Sequence, residues 1–249
     1  MSFINKHRTV NSLVNTTAAA VRSAYSHDRH VPPVPLHAPA GRPTAGEVSP
    51  GRFSNGLKEF LWQIEDIGKG NLLDLGAVSQ ATVTYFIERN FKVFTEDLLA
   101  AWGAFLEREL QRAPSLPAGS EQPDNSPAAQ ADRFLASNLS YPAESFDAVL
   151  LWDVLDYMDR DAAKQFLPRI TSFVRDGGAI LAIFHTRPPE QFRRYRVLDA
   201  HNLQLVPVPT LVQPKHVYQN REIQQLFEKF RTSKTFVSRD QMREGVFVK

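Results

Sequence analysis

From about residue 54 onward, apolar residues fall into short bursts separated by polar and glycine-bearing breaks, and the spacing within each burst predicts its element. Ser54 stands as an N-cap before Leu57, Phe60, Leu61, Ile64 and Ile67, one stripe at helical spacing that Gly68 and Gly70 close. NLLDLGA over 71–77 reads as a buried strand, 79–89 as a helix, 91–95 as a strand, and 98–110 as a helix carrying Leu98, Leu99, Trp102, Leu106 and Leu110. After a proline-rich break over 111–130, a short strand is expected over 133–136, and FDAVLLW from Phe146 is a clear buried strand. A helix over 162–175 is stopped by Gly177 and Gly178, and AILAIFH from Ala179 is a further strand. A polar stretch, 186–214, precedes a helix over 220–230, and the segments 235–239 and 245–249 are suited to an antiparallel hairpin. Strands alternating with helices predict a parallel sheet with crossover helices on both faces.

Composition supports a folded chain: 43% of the 249 residues are hydrophobic and 22% charged. No run is long and apolar enough for a membrane-spanning helix, so a soluble protein with no membrane partner is expected, with the cytoplasm as its compartment. The absence of cysteine removes disulfides, thiolate metal sites and cysteine nucleophiles. The histidines are too scattered for a metal centre, so no metal is expected. The formal charge of +2 argues against nucleic acid as a partner. The basic excess belongs to residues 1–50, where Lys6, Arg8, Arg22, Arg29 and Arg42 face only Asp28 and Glu47 among six prolines. That tail is expected to be a disordered, solvated extension with at most one weak helix over 8–25, and no apolar core of signal-peptide length follows Lys6 and Arg8. Residues 51–249 form the expected domain, with 112–130 as a flexible loop and 186–214 as an insertion on the substrate side.

Several stations along this pattern carry chemistry. Gly76 ends the first strand of the series, where a doubly wound sheet turns toward its ligand, and Asp74 before it can accept hydrogen bonds from the turn. Glu96 and Asp97 follow the next strand, and a carboxylate there is suited either to gripping ribose hydroxyls or to capping the next helix. Asp153 ends an apolar strand, where a carboxylate without a partner is costly, and His185 ends the next one.

LLDLGAVSQAT, KVFTED, SNLSYPAESFDAVLLWDVLDYM and FVRDGGAILAIFH, in that order, resemble the motif series of the class I S-adenosylmethionine-dependent methyltransferases. The resemblance implies an α/β, doubly wound, mostly parallel seven-stranded sheet with its last strand antiparallel, and S-adenosylmethionine as cofactor. It implies cofactor contacts from Asp74, Gly76, Ala77, Glu96, Asp97, Asn138, Leu139 and Trp152, with Asp153, Tyr157 and His185 on the catalytic side. Asn138 stands where the family commonly has an aspartate, and Tyr157 where it often has a histidine.

Two further glycines of the family's first loop are replaced by Val78 and Gln80. A left-handed conformation at either would cost about 1–2 kcal/mol, and Val78 adds bulk where backbone approaches the cofactor. The expected function is methyl transfer to a small or medium-sized acceptor, with an anionic one suggested by Arg187, Arg193, Arg194 and Arg196. The alternative is a non-catalytic, methyltransferase-like binding or scaffold protein.

Overall fold

A computed structural model describes residues 51–112, 123–209 and 212–249. The expectations for the tail over 1–50 and for 113–122 of the loop lie outside these residues.

The chain enters through β1 (Arg52–Phe53) and α1 (Asn55–Gln63), whose N-cap is Ser54, with Oγ accepting from the Leu57 N–H. There follow β2 (Gly70–Asp74), α2 (Gln80–Ile87), β3 (Phe91–Thr95), α3 (Leu98–Arg112) and α4 (Pro127–Ser137). Next come β4 (Phe146–Trp152), a 3-10 turn at Val154–Tyr157, α5 (Arg160–Phe173) and β5 (Val174–His185). The remainder is β6 (Arg193–Val197), β7 (Asn202–Pro207), α6 (Asn220–Leu226), β8 (Thr232–Val237) and β9 (Met242–Val248).

The main sheet runs β3-β2-β4-β5-β9-β8. Neighbours from β3 to β5 pair in parallel, and β9 alone runs against the rest, between β5 and β8. This is the expected doubly wound, mostly parallel α/β sheet, with its last strand antiparallel. Side chains alternate across it: Val149 and Leu151 of β4 with Ile180, Ala182 and Phe184 of β5 pack beneath α3, α4 and α5. Ala148, Leu150 and Trp152 with Ala179, Leu181 and Ile183 pack on the opposite face with α1, α2, β6 and β7. Among the described residues no helix is long and apolar enough to cross a membrane.

Two expectations are corrected. The main sheet holds six strands among the described residues, not seven, because 133–136 lies inside helix α4. Ser126 caps that helix by accepting from the Ala129 N–H, Pro127 opens it, and Ala131 and Phe134 are its buried positions. Gly177 and Gly178 do not stop α5, which ends at Phe173; they form a bulge in β5, between the pairs Phe146 with Val174 and Ala148 with Ala179, and Gly177 adopts φ +82°. Within the stretch 186–214, β6 and β7 pair antiparallel, and β1 completes a second, three-stranded sheet.

Candidate functional site

The four parallel strands deliver Asp74, Thr95, Trp152 and His185 to one edge of the sheet, the carboxyl edge where folds of this kind bind ligands. A pocket of about 360 Å³ opens there. Gly76, Ala77, Asp97, Trp152, Asp153 and Tyr157 line it, α3 contributes Leu99, Trp102 and Leu106, and the insertion contributes Phe192, Arg193 and Tyr195.

The centre of the site is an indole. Trp152 has a left-handed backbone, φ +53°, which turns its side chain back over the first loop. Its Nε1–H donates to Asp74 Oδ1 at 2.7 Å, and the Gly76 N–H donates to the same oxygen at 3.0 Å. Gly76 has to be glycine for this reason: a Cβ there would stand 2.5 Å from Trp152 Cδ1. Asp74 is 1% exposed, and burial raises its carboxyl to about 6, against the lowering pull of the Trp152 and Gly76 hydrogen bonds. It lies behind the pocket wall and serves the turn.

The altered loop is not strained. Neither Val78 nor Gln80 has a positive φ; Ser79 between them caps α2, and the Val78 side chain is 69% exposed and lies off the pocket. What crowds the turn is Trp152, from 76 residues beyond Gly76.

Asp97 caps the start of α3 and also faces the pocket; its Oδ1 accepts from the Ala100 N–H at 3.1 Å. Glu96, Asn138 and Leu139 are not brought to it; they line a separate pocket on the other side of the first turn of α3, beside Leu98 and Ala101. Glu96 accepts from the Tyr141 hydroxyl at 2.5 Å, and Asn138 Nδ2 donates to the Phe134 carbonyl at the end of α4.

Beyond Trp152 the acids form a buried cluster. The Tyr195 hydroxyl donates to Asp153 Oδ2 at 3.0 Å, and His185 Nε2 lies 3.8 Å from the same oxygen. Asp156 Oδ2 lies 2.9 Å from His185 Nδ1 and accepts from the His185 backbone N–H at 2.7 Å. Burial raises Asp153 to about 7, with Asp156 adding to the rise and His185 and Tyr195 opposing it. Burial alone would depress the His185 imidazole, but its hydrogen bond to Asp156 and the charges of Asp153 and Asp156 outweigh that, and it ends above its ordinary value. His185, read from sequence as a strand end near the site, is buried behind Asp153 rather than on the pocket wall. Tyr195 was not foreseen; Asp156 falls in the segment after β4 that the sequence places at the site, in the spacing DVLD, though without a role of its own.

No protein-family model and no curated protein matches the chain. Among solved structures it is similar to the 1,6-didemethyltoxoflavin-N1-methyltransferase of Burkholderia thailandensis, crystallised with 1,6-didemethyltoxoflavin and S-adenosylhomocysteine, at 18% identity and a TM-score of 0.42 over 78% of this chain and 76% of that one. It is similar to an S-adenosylmethionine-dependent methyltransferase of Mesorhizobium loti at 14% identity and a TM-score of 0.42, over 77% of this chain and 98% of that one. A methyltransferase of Aquifex aeolicus gives 12% identity and a TM-score of 0.38, over 76% and 88% of the two chains.

Proposed function

We propose that the protein transfers a methyl group from S-adenosylmethionine to an acceptor bound in the pocket at the carboxyl edge of the sheet. The observation that carries this reading is the convergence of Gly76, Ala77, Asp97 and Asp153, from three different strand ends, on one largely apolar pocket.

The residues present fit the cofactor. Asp97 Oδ1 is used by the helix, and its second oxygen is free to accept from a ribose hydroxyl. Gly76 and Ala77 offer backbone to the amino-acid end, with the Trp152 indole as an apolar flank, and Leu75 and Leu99 supply apolar wall. Asp153 and Asp159 are carboxylates facing a pocket suited to a positively charged sulfonium. Asp74 acts through Trp152, by fixing the indole. Glu96, Asn138 and Leu139 fall outside this reading because α3 separates them from Asp97.

Held by Asp97, Gly76 and Ala77, the cofactor would supply a sulfonium methyl group already activated for transfer. The chain's own part is to align the two partners, exclude water with the insertion, and receive the acceptor's proton. Asp153 is the group placed for that proton, since it lines the pocket with a carboxyl raised toward neutrality. His185 and Asp156 behind it stabilise the cluster as charge changes, and Tyr157 closes the pocket beside them. The unstrained loop weakens the non-catalytic alternative, which rested on Val78 and Gln80.

Calorimetric titration with S-adenosylmethionine and S-adenosylhomocysteine tests the reading. Wild type is expected to bind both, and Asp97→Asn, which keeps the helix cap, to bind about ten-fold more weakly for loss of a charge-assisted hydrogen bond. A folded wild type that binds neither at millimolar concentration would overturn it.

A further inference from the structure

On strand β6 Tyr195 and Val197 face the domain and are buried, while Arg193, Arg194 and Arg196 are exposed. Arg193, of the same parity as Tyr195, lines the pocket two residues from the tyrosine that holds Asp153. Its charge is felt by the site, lowering both Tyr157 and His185 against the acids around them.

The cations that structure the rest of the domain are paired. Arg52 meets Asp240 and Glu244, Arg133 meets Glu109, Arg160 meets Glu222, and Arg175 meets Asp147. Among the described residues the Arg193 guanidinium has no hydrogen-bonding or ion-pair partner. Arg194 and Lys215 line the same pocket and are also unpaired; the acids of its lining are Asp97, Asp153 and Asp159. Much of the rest of the lining is apolar and aromatic, including Trp102, Leu106, Tyr157, Phe192 and Val208.

We infer that the methyl acceptor is an aromatic acid, whose anionic group is held by Arg193 and whose ring lies against Phe192 and Trp102 so that its nucleophilic O–H or N–H meets Asp153. A guanidinium fork matches a carboxylate in a way that a solvated lysine does not, and an apolar ring satisfies walls that offer few hydrogen bonds. In the transfer itself, the oxygen or nitrogen lone pair forms the new bond to the methyl carbon, the carbon–sulfur bond breaks with its pair going to sulfur, and the O–H or N–H proton passes to the Asp153 carboxylate. The inference rests on the proposed methyl transfer for that step, but its recognition half stands apart from it.

The test is equilibrium binding without cofactor, by calorimetry, with 4-hydroxybenzoate and phenol as probes. Wild type is expected to bind 4-hydroxybenzoate at least about ten-fold tighter than phenol. Arg193→Met should abolish that preference and Arg193→Lys should retain part of it, whereas Arg196→Met, on the outer face of the same strand, should leave it intact. Equal binding of the two probes, no binding of either at millimolar concentration, or an undiminished preference in a folded Arg193→Met variant would overturn the inference. Titration with S-adenosylhomocysteine separates the failures: a protein that takes 4-hydroxybenzoate through Arg193 but no S-adenosylhomocysteine keeps the acid site and loses the methyl-transfer reading.

Discussion

The indole of Trp152 and the ring of Tyr195 stack 5.3 Å apart with their planes 5° from parallel. The stack joins the two halves of the site, because Trp152 reaches back to Asp74 under the first loop and Tyr195 reaches forward to Asp153. Removing the Tyr195 hydroxyl alone, as Tyr195→Phe, keeps the stack and leaves Asp153 without its donor. That hydrogen bond holds the carboxyl down, so its loss raises Asp153 further, and the acidic limb of the turnover–pH profile should move to higher pH. An unmoved limb in an active variant would show that Asp153 does not receive the proton.

Stability should fall as pH rises through the acid-to-neutral range. Asp74 and Asp153 have carboxyls near 6 and 7 in the folded chain and about 4 when unfolded, so between these values the folded state holds protons that unfolding releases. His185 acts in the same sense, since its raised value makes its charged form a stabilising one that is lost on deprotonation. Asp74→Asn keeps an oxygen for the Trp152 and Gly76 donors and removes the buried charge. It should stabilise the protein at pH 8 by up to roughly 2–3 kcal/mol and flatten the lower part of the profile, as read by urea denaturation at several pH values.

Gly76→Ala tests whether Trp152 is what demands the glycine. The new methyl meets Trp152 Cδ1 at 2.5 Å, and a loss of about 1–3 kcal/mol is expected from overpacking. Adding Trp152→Leu should relieve the clash, so that the double variant loses less than the sum of the singles; strict additivity in denaturation measurements would refute the coupling.

Glu244 on β9, 2% exposed, fastens the start of α1: it accepts from the Ser54 hydroxyl at 3.0 Å and the Gly56 N–H at 2.6 Å, and pairs with Arg52 at 2.7 Å. Glu244→Ala leaves Arg52 half-paired and the helix terminus unsatisfied, and should cost about 3–5 kcal/mol. Glu244→Gln, which keeps an acceptor, should lose clearly less in the same thermal or chemical melt.

The strand at 146–152 was legible residue for residue, because a strand buried on both faces is written as a near-continuous apolar run; the edge strand at 91–95, with Lys92 exposed, was legible from its β-branched and aromatic residues between turns. Helix α4 was not, since PAAQADRFLAS has few large apolar residues; the readable signal was a serine followed by proline at its start. The hairpin of β6 and β7 carried its period-two pattern in Tyr195 and Val197, masked by the arginines between them. Two residues of β1 have no pattern to read.

At the site, sequence placed the acids and Gly76 at the right edge, because strand ends locate themselves. It could not show that the body approaching Gly76 is an indole. The contact joins residues 76 positions apart and depends on a left-handed turn at a tryptophan, which no local rule favours. Splitting Glu96 from Asp97 onto opposite sides of α3 depends likewise on how the helix starts, one residue's rotation deciding which acid meets the pocket.

The pairing of β1 with β7, Arg52 opposite Leu203 and Phe53 opposite Asn202, also orders events in time. During synthesis these two residues leave the ribosome ahead of the domain, and their partner strand follows only after about 150 more. Contacts closed over such a span form late, and Glu244, which holds the neighbouring helix end, arrives later still. The pocket wall built on that second sheet is therefore among the last parts of the molecule to be assembled. A nascent chain released before β7 would have its first loop and Trp152 but lack the partner of β1 and the Val208, Val212 and Lys215 part of the pocket wall, so ligand binding should report growth past that point more faithfully than helix content does.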